Sequence, residues 1–372
     1  MEQFQVDKTE LARSRIVSAQ TVNELEQGVV FKVERFAFTA NNLTYYMVGD
    51  TLGYWQFFPT TNTEKNENWG IIPVWGVGKV VHSNNNKVAV GSRYFGYFPT
   101  ATHLHMQSVS INHNTLIDCS AHRLKLPQGY NIYRPLTSAG EIEDDDALAR
   151  THTKENMQML LWPLYATSFC LWEVVSAIPN AQREQVLVLS ASSKTSLGLA
   201  FAMKRDDLNV IGVTSKHRVE TVRSLDVYSE VISYDDIDKL EQKTTVIVDM
   251  SGNAKLKAHL TACLESNVSR YINVGLTHWQ ETNVNKGNKS TSNDDEFFFA
   301  PAHIQSRMKT MGAAEYQKLS STFVFEAIAW SSKWLKVQKR KGLAALSNDF
   351  TAHCQGDISA DTGMIYQLDG KY

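Results

Sequence analysis

The stretch Val186-Leu-Val-Leu-Ser-Ala-Ser-Ser-Lys-Thr-Ser-Leu-Gly198 decides the fold class. Its first four residues are a short, wholly apolar run, as expected of a strand covered on both faces. A turn of small polar residues follows, and Leu197 to Met203 continues with helical patterning. A buried strand that passes through a tight turn into a helix aims backbone N–H groups and the positive end of the helix dipole at one point. A pyrophosphate fits such a point. The same turn also reads as a strand–loop–helix connection with no ligand.

Reading outward, the rhythm repeats. Val210 to Val213 is a second strand, Arg218 to Leu225 a helix, and Glu230 to Ser233 a third strand. Val246 to Val248, a helix over Ala254 to Leu264, and a strand over Ser269 to Gly275 continue it. Strands alternating with helices predict an α/β, doubly wound parallel sheet of the Rossmann type. Upstream, the first ~140 residues read as β-rich. Gly28 to Phe38 and Ile72 to His82 pattern as strands, Lys87 to Val90 as a shorter one, and several glycines punctuate them. A partly open barrel or a sandwich follows from that texture. Ser138 to Asp146 reads as an exposed acidic connection, and helical patterning resumes near Met159. Downstream, Thr282 to Glu296 reads as a polar loop, Ile304 to Lys341 largely as helix, and Gly356 to Leu368 as a final strand.

The chain has 372 residues, enough for two domains. The expected division is residues 1–150, completed by 282–372, and a nucleotide-binding domain over 151–281. A formal net charge of −2 gives no global attraction for nucleic acid or an anionic membrane. The four cysteines, Cys119, Cys170, Cys263 and Cys354, are scattered, which argues against a disulfide framework and a clustered-thiolate metal site. The first residues, MEQFQVDKTELARS, lack a signal-peptide pattern, and the apolar run Met159 to Ile178 is broken by Pro163 and Glu173. A cytoplasmic protein without a membrane span is the expectation.

The phosphate turn departs from the glycine-rich fingerprint G-x-G-x-x-G. Ser190, Lys194 and Ser196 stand where glycines are expected, and Ser192, Ser193 and Thr195 add hydroxyls. The second strand ends in Thr214-Ser215-Lys216-His217-Arg218, without the acidic residue that normally takes the ribose hydroxyls. Hydroxyls and two cations suit a 2′-phosphate, so NADPH is favoured over NADH. S-adenosylmethionine is disfavoured by the same missing carboxylate. Ser251 and Gly252 after the fourth strand, and Gly275 after the fifth, would border the nicotinamide half.

These residues together resemble the medium-chain dehydrogenase/reductase superfamily, in its zinc-free quinone oxidoreductase and enoyl reductase branches. The match runs through VLVLSASSKTSLGLAFAMK, VIGVTSKHRVETVRSLDVYSEVISYDD, VIVDMSGN and YINVG. It is weaker at Phe38 to Thr44, Ile72 to Val81 and Val90 to Tyr97. The resemblance implies a GroES-like, partly open β-barrel catalytic domain beside the Rossmann domain. It also implies hydride transfer from a nicotinamide cofactor lying between the domains, and a homodimer. The family's zinc-binding cysteine would fall near Asn41 or Asn42, where there is none. His103 and His105 form an isolated HxH, and no metal is expected.

A zinc-free reductase needs donors for developing negative charge and an acid for protonation. Asn42, Tyr46 and Tyr54 are the candidates, Tyr54 standing nearest the branch's tyrosine; Tyr45 lies beside them. Thr167, near a family position that contacts the nicotinamide, joins the cofactor set, although a helix hydroxyl commonly bonds back to its own backbone. The aromatic residues between Tyr45 and Phe98 either line a site for a small apolar or aromatic substrate or fill the core. The expected activity is NADPH-dependent reduction of an activated C=C or carbonyl, such as an enone, a quinone or an enoyl thioester. The alternative is a non-catalytic, cofactor-binding relative of the same fold.

Overall fold

A computed structural model describes residues 1–18, 28–61, 68–112, 115–137, 144–274 and 295–368. The chain begins with β1 (Glu2–Asp7), β2 (Ser14–Ser18), β3 (Val29–Phe38), α1 (Ala40–Met47), β4 (Trp69–Gly70), β5 (Pro73–Ser83) and β6 (Arg93–Pro99). It continues through β7 (His103–Met106), β8 (Val109–Asn112), β9 (Thr115–Asp118), β10 (Ile132–Leu136) and the long α2 (Asp145–Ser176). Next come β11 (Gln185–Leu189), α3 (Lys194–Lys204), β12 (Val210–Thr214), α4 (Val219–Arg223), β13 (Glu230–Ser233), β14 (Thr245–Asp249), α5 (Ala254–Leu264), β15 (Val268–Asn273) and β16 (Asp295–Phe297). The last elements are α6 (Ala300–Met311), α7 (Ala313–Ser331), β17 (Lys336–Lys341), α8 (Gly342–Gln355) and β18 (Thr362–Gln367).

Two compact units result: Met1–Leu160 with Leu335–Tyr372, and Leu161–Trp334. This differs from a division at 150/151 and 281/282. The C-terminal completion of the first unit begins only at Leu335, because the preceding helices belong to the second. Phe298, Ala300 and Ile304 pack onto Cys170, Val175 and Val248, and Trp330 packs on Phe201. The Tyr165 and Ser331 hydroxyls meet at 2.5 Å.

The second unit is a parallel sheet in the order β13-β12-β11-β14-β15-β16 among the described residues. The order reverses between β11 and β14, the position where open α/β sheets bind ligands. The apolar runs are explained by two-sided burial. Val186, Val188, Val246 and Val248 face Leu171, Val175, Leu199 and Met203, while Leu187, Leu189, Ile211 and Ile247 face Leu260, Leu264 and Tyr271.

The first unit is β-rich. One sheet runs β17-β18-β3-β5-β6-β10-β9-β8, with β7 also on β3, and a smaller one runs β2-β1-β4. The central strand β3 is buried along most of its length although its sequence alternates. Two of its polar members enter buried ion pairs: Arg35 and, from β6, Arg93, both 2% exposed, converge on Glu155 from the first half of α2, and Arg93 also meets Glu34 at 2.9 Å.

Three local expectations change. Lys87 to Val90 is a turn, stabilised by the Asn85 side chain taking the Lys87 N–H at 3.0 Å, and not a strand. Helix ends at Ser331, and Lys336–Lys341 is an edge strand paired in parallel with β18. Asp295–Phe297, at the end of the expected loop, is a strand paired with β15; residues 282–294 lie outside the described residues. The apolar run around Met159 belongs to α2. That helix is long and apolar enough by composition to cross a membrane, but 56% of its apolar window is packed inside the fold.

Candidate active and cofactor sites

In the second unit, the turn after β11 enters the left-handed backbone region at a residue that is not glycine. Ser190 sits at φ 53°, the left-handed region that a non-glycine residue enters at a cost of about 1–2 kcal/mol. Tyr234, at the carboxyl end of β13, holds it there by accepting the Ser190 N–H at 3.1 Å. Ser193, at φ −69°, needs no glycine and caps α3, accepting the Ser196 N–H at 3.1 Å. Ser196 is fully buried and donates to the Leu189 carbonyl at 3.3 Å and the Met250 sulfur at 3.2 Å. Gly198 is required: a Cβ there would lie 2.5 Å from the Tyr165 ring and 2.7 Å from the Ser168 hydroxyl.

Ser192 gathers the rest of this cradle. Its hydroxyl accepts from the Arg218 guanidinium at 3.2 Å and from the buried Thr214 hydroxyl at 3.4 Å. A guanidinium and two hydroxyls therefore meet at the carboxyl ends of two adjacent strands. Lys194 and Thr195 form the first turn of α3, half-buried, where helix N–H groups lack intrahelical partners. Lys216 diverges from Arg218. It is exposed and lines a groove of about 790 Å3 with Ser233 and Asp236. Ser215 opens the short 3-10 turn that carries both cations, its carbonyl accepting the Arg218 N–H at 2.8 Å.

The remaining cofactor candidates differ in their freedom. Ser251 and Gly252 wrap the buried Asp249 carboxylate, donating to it at 2.7 and 3.0 Å, while Tyr271 binds its other oxygen at 2.8 Å. Thr167 donates to the Pro163 carbonyl of its own helix at 3.1 Å, the local role open to a helix hydroxyl. Ser168 instead ties α2 to the turn, reaching the Thr195 carbonyl at 2.8 Å. Gly275 lies outside the described residues.

In the first unit, four tyrosines gather. Gly53, at φ 75°, turns the chain so that Tyr54 begins a short 3-10 helix. The Tyr54 hydroxyl meets that of Tyr130 at 2.9 Å, and Tyr130 stacks on Tyr97 with centroids 4.6 Å apart. Tyr45 packs on Tyr54 at 4.6 Å and accepts from the Trp75 indole at 3.3 Å. Burial pushes all four phenols above their ordinary range; for Tyr97 the neighbouring phenols of Tyr45, Tyr130 and Tyr54 add to it. Phe57, Tyr97 and Phe98 are fully buried and fill the core, so these residues do not define a substrate.

Asn42 and Tyr46 stand apart from this group. The Asn42 amide accepts the Thr39 N–H at 2.7 Å and donates to the Pro73 carbonyl at 2.8 Å, so both ends serve the scaffold around α1. Tyr46 donates to the Asp7 carbonyl at 2.8 Å and stands edge-on to Trp55; burial, with Asp7 nearby, pushes its phenol up to about 12. His103 and His105 lie half-buried on β7, and among the described residues no group of three or more metal-ligating side chains forms. Sequence reasoning missed Tyr234 and Tyr130. Tyr234 follows the third strand, a position that could have flagged it. Tyr130 lies 76 residues from Tyr54, with no local signal.

Residues 36–359 match the family described as Protein of unknown function (DUF2855), and the chain belongs to that family. No curated protein matches the sequence. Among solved structures, CurA from Vibrio vulnificus in complex with NADPH aligns at a TM-score of 0.62 and 11% identity, over 100% of both chains. The quinone oxidoreductase from Coxiella burnetii aligns at 0.56 and 12%, over 99% of each. The yhdH oxidoreductase from Salmonella enterica in complex with NADP aligns at 0.52 and 12%, over 99% of this chain and 100% of that one. The fold is therefore that of the medium-chain dehydrogenases/reductases, a Rossmann unit and a GroES-like unit.

Proposed function

We propose that the chain is an NADPH-dependent reductase of an activated C=C or carbonyl group. The observation that carries the reading is the meeting of Arg218, Ser192 and Thr214 at the ends of β11 and β12. A guanidinium and hydroxyls make charge-assisted hydrogen bonds to a phosphate, and Thr214-Ser215-Lys216 offers no carboxylate to a ribose diol. The left-handed turn at Ser190 supports the same reading, because strained backbone held by surrounding contacts is common at ligand sites. Two solved structures of this fold, described as complexes with NADPH and NADP, support the cofactor class.

In this reading Ser192, Ser193, Lys194 and Thr195 hold the pyrophosphate. Arg218 holds the 2′-phosphate, with Ser215 and Lys216 at its margin, and Ser251 and Gly252 border the nicotinamide end. When bound, the cofactor supplies the hydride. Tyr54 supplies a proton to the substrate. An enone, a quinone or an enoyl thioester is the substrate class.

The test is a thermal-shift series with NADPH and NADH, followed by NADPH oxidation over a panel of those substrates. NADPH is expected to raise the melting temperature by mass action, and NADH less so. No shift with either nucleotide removes the cofactor claim. A shift with NADPH but no turnover across the panel identifies an accessory, cofactor-binding protein of the same fold.

A further inference from the structure

The first unit builds a support behind Tyr54 that the reductase reading does not by itself require. Among the described residues the hydrogen-bond partner of the Tyr54 hydroxyl is Tyr130, at 2.9 Å. Tyr130 lies in the short 3-10 turn Gln128–Asn131, and a buried cation fixes that turn. Arg123, fully buried, donates to the Tyr130 carbonyl at 2.8 Å and to the Asp118 carboxylate at 2.6 Å. The Asn131 amide returns a hydrogen bond to the Arg123 carbonyl at 3.3 Å. The same guanidinium lies over the rings of Phe57 and Phe58, 5.2 and 5.1 Å from their centroids, close after Tyr54 in sequence. One cation thus grips the backbone of Tyr130 and the segment that carries Tyr54.

We infer that Tyr130, held by the Arg123–Asp118 pair, is a positioning residue for Tyr54: its hydroxyl aims the Tyr54 phenol and stabilises it once its proton has left. This rests on the reductase reading above. In the step concerned, the substrate gains an electron pair as hydride at one carbon and its π bond breaks. The Tyr54 O–H bond breaks as its proton passes to the other end of that π bond, leaving a Tyr54 phenolate. Tyr130 donates its O–H to that phenolate. Water then returns a proton to the Tyr54 phenolate, which closes the step. The other titratable or charged groups facing the pair are Tyr45 from α1, Tyr97 from β6, and Arg123 with Asp118 behind it.

Tyr130→Phe removes the hydroxyl and keeps the ring that packs on Tyr97. The expected result is a kcat lower by roughly ten- to a hundredfold, the scale of a hydrogen bond to a charged group, with KM unchanged. Tyr54→Phe is expected to lose about a hundredfold or more. The double variant should be no slower than Tyr54→Phe. In a tyrosine-labelled protein, the 13Cζ resonance of Tyr54 should move in Tyr130→Phe, a readout that needs neither substrate nor cofactor. Effects that multiply in the double variant, a change confined to KM, or an unmoved Tyr54 resonance would overturn the positioning role. A protein inactive on the whole panel, with the resonance moving as expected, would instead remove the reductase reading, and the catalytic part of this role with it.

Discussion

The two units treat charge in opposite ways. The first buries it: Arg123 with Asp118, and Arg35 and Arg93 with Glu155, are all closed off from solvent and paired within the unit. The second leaves Arg218 half-buried at the ends of its strands, against the Ser192 hydroxyl and, among the described residues, with no carboxylate bonded to it. Buried pairs organise a scaffold and are costly to break, since removing one partner strands the other without compensation. A cation held by neutral hydroxyls is still able to take an anion. In the proposed reading the difference separates the units' roles: the first positions side chains, and the second recognises a charged ligand.

The comparison breaks most directly at Asp118. Asp118→Ala leaves the Arg123 guanidinium buried without a counter-charge and should destabilise the first unit by about 3–5 kcal/mol, read by urea denaturation. If stability holds, the first unit does not depend on its buried charges.

Acid should attack the first unit next. Burial lowers His103 and His152 to about 4; the N-terminal amine and Lys32 add to the effect on His103, and Arg35 and Arg93 to that on His152. An unfolded histidine titrates near 6.5. Between those values the unfolded chain binds up to about two more protons than the folded one, so stability falls as pH drops; above pH ~6.5 this contribution is fully present. Melting temperatures measured from pH 7 to 4 should show the decline, and a double His103→Gln, His152→Gln variant should flatten it. An unchanged slope would show that these histidines titrate normally.

In the second unit the expected losses are smaller and concern binding. Arg218→Ala should weaken NADPH by roughly ten- to a hundredfold, the scale of a lost hydrogen bond to a charged group, and leave NADH little changed. Equal losses for both nucleotides would place the arginine away from the 2′-phosphate. Ser193→Ala removes the cap of α3 and should cost about 1 kcal/mol of stability. A cost near zero would show that the Ser193 hydroxyl does not hold the Ser196 N–H in solution.

The Rossmann unit was legible because its signals are local. Strands buried on both faces must be wholly apolar, and VLVL, VIGV and the strands that follow announce themselves within four or five residues. The helix Ala254–Leu264 falls where its periodicity puts it. The barrel unit was less legible, since its charged residues reach partners far along the chain: Arg93 meets Glu155 62 residues away. The edge strand Lys336–Lys341 escaped notice because its side chains are nearly all exposed, so no apolar period marks it.

By itself the sequence determined the parallel sheet, the small polar turn after its first strand and the cationic end of the second strand, because backbone burial and strand-end chemistry are written in adjacent residues. Only the tertiary structure decided which polar groups meet. It drew Tyr234 over to Ser190 and turned Arg218, rather than Lys216, toward Ser192. It used up Asn42 and Tyr46 in the scaffold and set Tyr130 against Tyr54. Hydrogen bonds across tens of residues depend on how strands and turns pack, and no spacing along the chain encodes that.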